Sequence, residues 1–290
     1  MKNKNYYHNK IDHCIGVVSY CNSKENPERF EIIKKTLPAL SKLKNENNYM
    51  FLWDNGSTEE VKEFQKSLSF FDDRYFSYEN LYDVGPNILL NIMSKKINAK
   101  FVTYIEDDLL LFAPEKIKSC LTFLENNPDC GTVRLLKYER GKELVYDKMQ
   151  KNSKTDLGNC IRHYNDVKKE KLVWEDCKDI DGNKFYKNNW HWTQFPNVSK
   201  TEVFDKIVIK HDCMPLNGFE GLIMKKFNEL NLKVGVIEGG VFSHIQDGFT
   251  PKASMRVKQT VMQKPDIVNY KNVINVIDNV TNINLQKGLK

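Results

Sequence analysis

Apolar positions fall into short β-branched runs separated by stretches of helical spacing. Cys14-Ile-Gly-Val-Val-Ser-Tyr20 is apolar without alternation, as expected of a parallel strand buried on both faces. A polar loop, 21–28, leads to Arg29 through Leu43, where Phe30, Ile33, Leu37 and Leu40 repeat at the spacing of one helix face. Tyr49-Met-Phe-Leu-Trp53 predicts a second strand. Asn55-Gly56 then signals a turn, and Ser57 or Thr58 can cap a helix from Glu59 to Leu68. Arg74 to Tyr78 predicts a third strand, 80–87 a loop around Gly85-Pro86, and Ile88 to Ile97 a helix. A fourth strand runs from Phe101 to Glu106.

Further along, the pattern predicts a helix from Pro114 to Asn126 and a strand from Gly131 to Leu136. Lys137 to Asn189 is polar, Lys-rich and weakly periodic, and no element is assigned to it. Ser199 reads as the cap of a helix from Thr201 to Ile209, and a further helix follows from Gly221 to Leu230. Lys233 to Ile237 is a short strand, followed by Gly239-Gly-Val-Phe-Ser-His244. Residues 1–12 form a loose tail, and Tyr270, Ile274, Ile277 and Val280 suit a terminal helix within 266–290. Strands alternating with helices predict an α/β fold: a central mixed, mainly parallel, Rossmann-like sheet flanked by helices, with right-handed crossovers.

Composition narrows the class. With 40% hydrophobic and 28% charged residues, the chain belongs with globular proteins. No apolar run approaches the about 18 residues that span a bilayer, and the first ten residues lack a signal peptide's apolar segment. Seven cysteines at irregular spacing, without a C-x-x-C pair, argue against a zinc site and a disulfide framework and for a cytoplasmic location. The sequons at Asn55 and Asn197 are chance matches in an Asn-rich chain. A net charge of +6, spread over many lysines, favours phosphate-bearing ligands without naming one.

The candidate chemistry centres on Glu106-Asp107-Asp108, which interrupts an apolar run at a strand end. Strand alternation predicts Glu106 and Asp108 on one side and Asp107 on the other. Carboxylates there suit Mg²⁺ or Mn²⁺, with phosphate oxygens completing the shell. Ligands of open α/β sheets bind beyond the strands' carboxyl ends, where Ser19 to Asn22, Asp54 and the acidic triplet all fall.

The order of these motifs resembles the nucleotide-sugar domain of GT-A glycosyltransferases, most closely the large inverting group called family 2. The likeness lies in Val17-Val-Ser-Tyr20, Asp54-Asn-Gly-Ser57, Glu106-Asp-Asp108, Gly218-Phe-Glu-Gly221 and Phe242-Ser-His244. It covers 14–112 well and 190–250 loosely. It implies a GT-A-like catalytic domain over 13–265, with a nucleotide-sugar half (13–136) and an acceptor half (137–265). Ser19 and Tyr20 would line the nucleotide pocket, Asp54 would bond the base, and Asn22, Arg29, Asn55 and Gly85 would complete the donor contacts. Asp108 and His244 would bind the metal, with Glu106 and Asp107 facing ribose or metal-bound water. Glu220 would be the catalytic base, although Gly221 stands where the family has a partner acid. Trp190, His191 and Trp192 would offer an acceptor platform.

The implied activity is metal-dependent, inverting transfer of a sugar from a nucleotide-diphosphate sugar, such as a UDP-sugar, to an acceptor hydroxyl. The acceptor is open among a glycan, a protein, a lipid-linked sugar and a modified base in DNA. Plainer readings stand beside these: Asp54 as a turn former, His244 as a structural histidine, Glu220 as a helix N-terminal acid, and the tryptophans as core. The competing functions are a nucleotidyltransferase, disfavoured by the absence of glycine from 19–24, and a non-catalytic nucleotide- or carbohydrate-binding module.

Overall fold

The computed structural model describes residues 11–77, 89, 90, 93, 98–137, 173–190, 192, 196–208 and 219–245; the side chains of 219–222 and of His244 lie outside that description. The expected terminal helix within 266–290, and most of the expected helix 88–97, fall outside the described residues. Leu89, Leu90 and Met93 of the latter are helical and buried.

Strand β1 (Ile11–Ser19) is central. It pairs in parallel with β2 (Asn48–Asp54) on one side and β4 (Ala99–Glu106) on the other, so side chains on both its faces are buried. Helix α1 (Pro27–Ala39), continued by a 3-10 turn (Leu40–Leu43), connects β1 to β2; α2 (Glu59–Ser67) connects β2 to the edge strand β3 (Asp73–Phe76). Helix α1 starts two residues before the expected position because the Asn26 side chain accepts the Arg29 N–H at 3.1 Å and Pro27 suits the first turn. Gly16 lets a helical residue press onto β1: a Cβ there would lie 2.6 Å from Met93 Sδ.

The second half continues the same sheet. Strand β5 (Leu109–Leu111) follows β4 after a two-residue turn; then come α3 (Lys116–Asn126), β6 (Cys130–Arg134), β7 (Trp174–Asp176) and β8 (Phe185–Asn188). Next are β9 (Asn197–Lys200), α4 (Thr201–Ile207), α5 (Phe219–Glu229), β10 (Lys233–Ile237) and β11 (Phe242–His244). The nine-stranded sheet has the order β3-β2-β1-β4-β9-β6-β10-β8-β7, and β5 and β11 form a separate ribbon. Strands β3, β2, β1 and β4 run parallel, as expected. Strand β9, however, runs antiparallel to both β4 and β6, and β8 runs antiparallel to both β10 and β7, so the whole sheet is mixed in equal measure.

Ser199 is not a helix cap. It lies within β9, where its hydroxyl bonds Thr132 Oγ1 (3.0 Å) and Asn197 Oδ1 (2.9 Å), and α4 begins without a side-chain cap. The stretch left without elements contains β7 and β8. No helix among the described residues is long and apolar enough to cross a membrane, and the described cysteines, at 14, 21, 120, 130 and 177, are free.

His13, to which the sequence assigns no function, is a core residue. Its Nε2 meets Thr103 Oγ1 at 2.7 Å across β1 and β4, and burial lowers its pKa from 6.5 to about 4. The unfolded chain therefore takes up a proton in that window that the folded chain refuses. The contribution is complete above pH 6.5 and is lost as pH falls toward 4, a difference of roughly 3 kcal/mol. His13→Gln is expected to flatten this part of the profile. Thermal unfolding at pH 7 and near pH 4 checks it: equal losses in variant and wild type would refute the assignment.

Candidate active site at the carboxyl ends of β1, β2 and β4

Strand order turns at β1: the chain moves outward through β2 and β3, then returns to β4 on the opposite side. The crevice at such a reversal is where open α/β sheets bind ligands. The chain places Ser19–Asn22, Asp54–Ser57 and Glu106–Asp108 there together. Asn55 N–H donates to Ser19 O at 2.8 Å and Thr58 N–H to Cys21 O at 3.1 Å, which ties the first two loops.

The carboxylate of Asp54 is fully buried (0% exposed) and turned into its own loop. It accepts from Gly56 N–H (3.1 Å), Ser57 N–H (2.9 Å) and the Ser57 hydroxyl, while Ser57 Oγ accepts the Cys21 N–H at 2.9 Å. Gly56 has φ +87°, which explains the glycine. Burial pushes the Asp54 carboxyl up, and hydrogen bonds from Ser57 and Gln65 draw it back. The side chain thus takes the turn-forming role and, as placed, presents no oxygen to a base. Asn55 is buried beside it, and Asn22 organises its own turn by accepting the Lys24 N–H at 3.2 Å.

Alternation of side chains fails beyond Glu106. Strand β4 ends there, and Asp107–Asp108 form a turn, so both acids face α1 instead of opposite sides. Arg29 reaches both, with Nη2 on Asp107 Oδ1 and Nη1 on Asp108 Oδ2 at 3.3 Å, while its Nε–H donates to Tyr20 O at 3.2 Å. Asp107 also accepts from the Ser19 hydroxyl (2.6 Å) and Tyr20 N–H (2.9 Å), and Thr36 Oγ1 donates to its carbonyl oxygen. Burial raises the Asp107 pKa and Arg29 pulls it back; Asp107, in turn, is the main cause holding Arg29 above its ordinary range. Asp107 is therefore a buried brace, not a contact open to ribose. Glu106 is the half-buried acid of the three, and it accepts the Tyr104 hydroxyl at 3.1 Å.

The ribbon brings the far end of the chain to this turn. Strand β5 pairs antiparallel with β11, setting His244 opposite Leu109, and Ile245 N–H donates to Asp108 O at 3.1 Å. Glu220 lies on the first turn of α5. Gly85 and His191 lie outside the described residues. Trp190 and Trp192 are each 1% exposed: Trp190 stacks with the Arg134 guanidinium at 3.9 Å, and Trp192 Nε1–H donates to Asn197 Oδ1 at 3.2 Å. Both are core residues as placed, with no face open to an acceptor.

Among the described residues no three His, Cys, Asp or Glu side chains cluster as a metal site. The register sets His244 across from Leu109, the residue that follows Asp108, and a hard cation commonly takes only one or two protein carboxylates, with water and phosphate oxygens completing its shell. Sequence reasoning missed Gln65, fully buried on α2, whose amide donates to Ser19 Oγ at 2.9 Å. A polar residue on the buried face of a short helix was its one visible signal.

Replacing Arg29 by Met strands a buried carboxylate. The expected loss is about 3 kcal/mol, the low end for breaking a buried pair because the Arg29 side chain is 28% exposed. Urea unfolding checks this, and a loss below about 1 kcal/mol, the range of surface pairs, would refute it.

No protein-family model matches the sequence, and no curated protein is significantly similar to it. Solved structures are similar in fold. Residues 1–349 of S. aureus TarS are 12% identical with a TM-score of 0.49, covering 92% of this chain and 69% of that one. The same protein in complex with UDP-GlcNAc gives 11% and 0.49, with 92% and 70% covered. The mannosyltransferase PcManGT from Pyrobaculum calidifontis, in complex with GDP-Man and Mn²⁺, gives 11% and 0.47, with 88% and 62% covered. The chain spans 42% of a longer TarS structure. At these identities and scores the likeness leaves function to be argued from the site.

Proposed function

We propose that the protein is a metal-dependent, inverting glycosyltransferase that moves a sugar from a nucleotide-diphosphate sugar to an acceptor hydroxyl. One observation carries this reading: the β5–β11 register sets His244 beside the acidic turn that closes β4, at the sheet's switch point. Two residues singled out on resemblance, far apart in sequence, thus become neighbours along the backbone.

Asp108 and His244 would hold Mn²⁺ or Mg²⁺, which when bound neutralises charge gathering on a departing diphosphate. Glu106 points its half-buried carboxylate from the same strand end, suited to a ribose hydroxyl. Glu220, on the first turn of α5, is the candidate base; its carboxylate would take the acceptor's proton as the hydroxyl attacks the anomeric carbon from the face opposite the leaving group. No covalent enzyme intermediate is needed. The donor contact ascribed to Asp54 passes to the loop it shapes, Asn55 to Ser57. A binding module without activity stays as the second reading, because Gly221 leaves Glu220 without the family's partner acid.

A thermal-shift panel of UDP- and GDP-sugars with and without Mn²⁺ tests this. At least one donor is expected to stabilise the wild type only with Mn²⁺, and Asp108→Ala to abolish the shift. Glu220→Gln should keep the shift and lose transfer and donor hydrolysis by about a hundredfold or more. If no donor stabilises the protein, or Asp108→Ala responds like wild type, the assignment fails. Stabilisation without turnover by the wild type would establish the binding module instead.

A further inference from the structure

Gln65 sits between two buried carboxylates. Its amide nitrogen donates to Ser19 Oγ at 2.9 Å, and its side chain also hydrogen-bonds Asp54. Ser19 in turn donates to Asp107 at 2.6 Å. Chemistry fixes the direction of every bond in this chain. An ionised carboxylate only accepts, so Ser19's single proton is committed to Asp107, and Ser19 Oγ is then left to accept from Gln65. Asp54 likewise requires a donor. Gln65 must therefore turn its N–H groups toward Ser19 Oγ and Asp54, and its carbonyl oxygen Oε1, buried, has no partner. A buried oxygen left unbonded is a cost that simple packing would have avoided with leucine.

We propose that Gln65, acting through Ser19, is a positioning residue that locks the Asp54 loop to the Asp107–Asp108 turn and so holds the metal carboxylate where a nucleoside diphosphate needs it. This rests on the function proposed above. Gln65 and Ser19 are 0% and 1% exposed, so both act from inside the fold. Ser19 thereby changes role, from a pocket-lining contact to a relay. The chain runs Gln65 to Ser19 to Asp107, and Arg29 spans from Asp107 to Asp108. Outer residues of this kind typically alter metal affinity by about 10–100-fold when removed.

Two measurements on Gln65→Leu, Ser19→Ala, the double variant and Gln65→Glu, each in the whole 290-residue chain, test it. The first is amide hydrogen exchange at Tyr20, whose N–H bonds Asp107, and at Ile245, whose N–H bonds Asp108 O. The second is affinity for UDP with Mn²⁺. Gln65→Leu is expected to speed exchange at both amides and weaken UDP·Mn²⁺ binding by about tenfold or more. The double variant should fall no further than the worse single, as expected of one shared chain. Gln65→Glu, nearly isosteric but adding a third acid, should be worse than Gln65→Leu; the reverse order would reduce Gln65 to packing. Unchanged exchange overturns the proposal, and so does faster exchange with unaltered binding. A wild type that does not bind UDP with Mn²⁺ sinks the proposed function alone, and exchange then decides whether Gln65 positions the turn.

Discussion

A carboxylate with almost no access to water governs the architecture of the site. Asp107 is buried at the end of β4, and an ionised acid there persists only if its oxygens are answered by donors. They come from three places: the Ser19 hydroxyl at the end of β1, the N–H of Tyr20 just beyond it, and Arg29 on the first turn of α1. Meeting that demand fixes the loop after β1, the entry of α1 and the turn after β4 relative to one another. It also explains why an arginine stands on α1 here. Its planar fork spans two adjacent carboxylates, which a lysine ammonium does with less geometric control.

The same demand turns the acidic triplet from a row of equivalent ligands into three different groups. Glu106 ends the strand and stays half open. Asp107 is consumed internally. Asp108 shares Arg29 yet lies against the ribbon that brings in residue 244. Charge balance follows from this division, since among the described residues one guanidinium is set against two acids. Such a turn can take a cation, whereas a third unpaired acid packed into the same volume would repel the other two.

Much of this was legible in sequence, and the limits have physical causes. Central strands β1, β2 and β4 announce themselves because burial on both faces demands unbroken apolar runs. Asn55-Gly56 marks its turn because the backbone there needs positive φ. Strands β7, β8 and β9 do not, because they are three or four residues long, and β9 carries polar side chains, Asn197 and Ser199, that bond to each other and to Thr132 on β6. Alternation misplaced Asp107 because period-two geometry ends where the strand ends. The tryptophans looked like a platform because an aromatic suits core and ligand equally, and only packing against Arg134 and Asn197 decides. Gln65 left only one trace, a polar residue on a buried helix face, because the direction of a hydrogen bond is not encoded in a residue pattern.

The antiparallel strand β9 joins the two parts of the large sheet. It inserts between β4, which ends in the acids, and β6, which ends in buried Arg134. Tyr104 on β4, Asn197 on β9 and Arg134 on β6 stand in one register row. Neighbours in such a row share a face of the sheet. Tyr104 donates onward to Glu106, and Asn197 collects the hydroxyl of Ser199 and the Trp192 indole. Trp190 and Trp192 are therefore anchored, through Arg134 and Asn197, to the row that includes the strand ending in the acids. Any change in residues 190–192 large enough to expose the indoles must first break bonds to Asn197 and the stack on Arg134. Buried, hydrogen-bonded side chains switch between discrete arrangements instead of flexing gradually. The physical link between the two tryptophans and the acidic turn is thus a packed polar row across three strands.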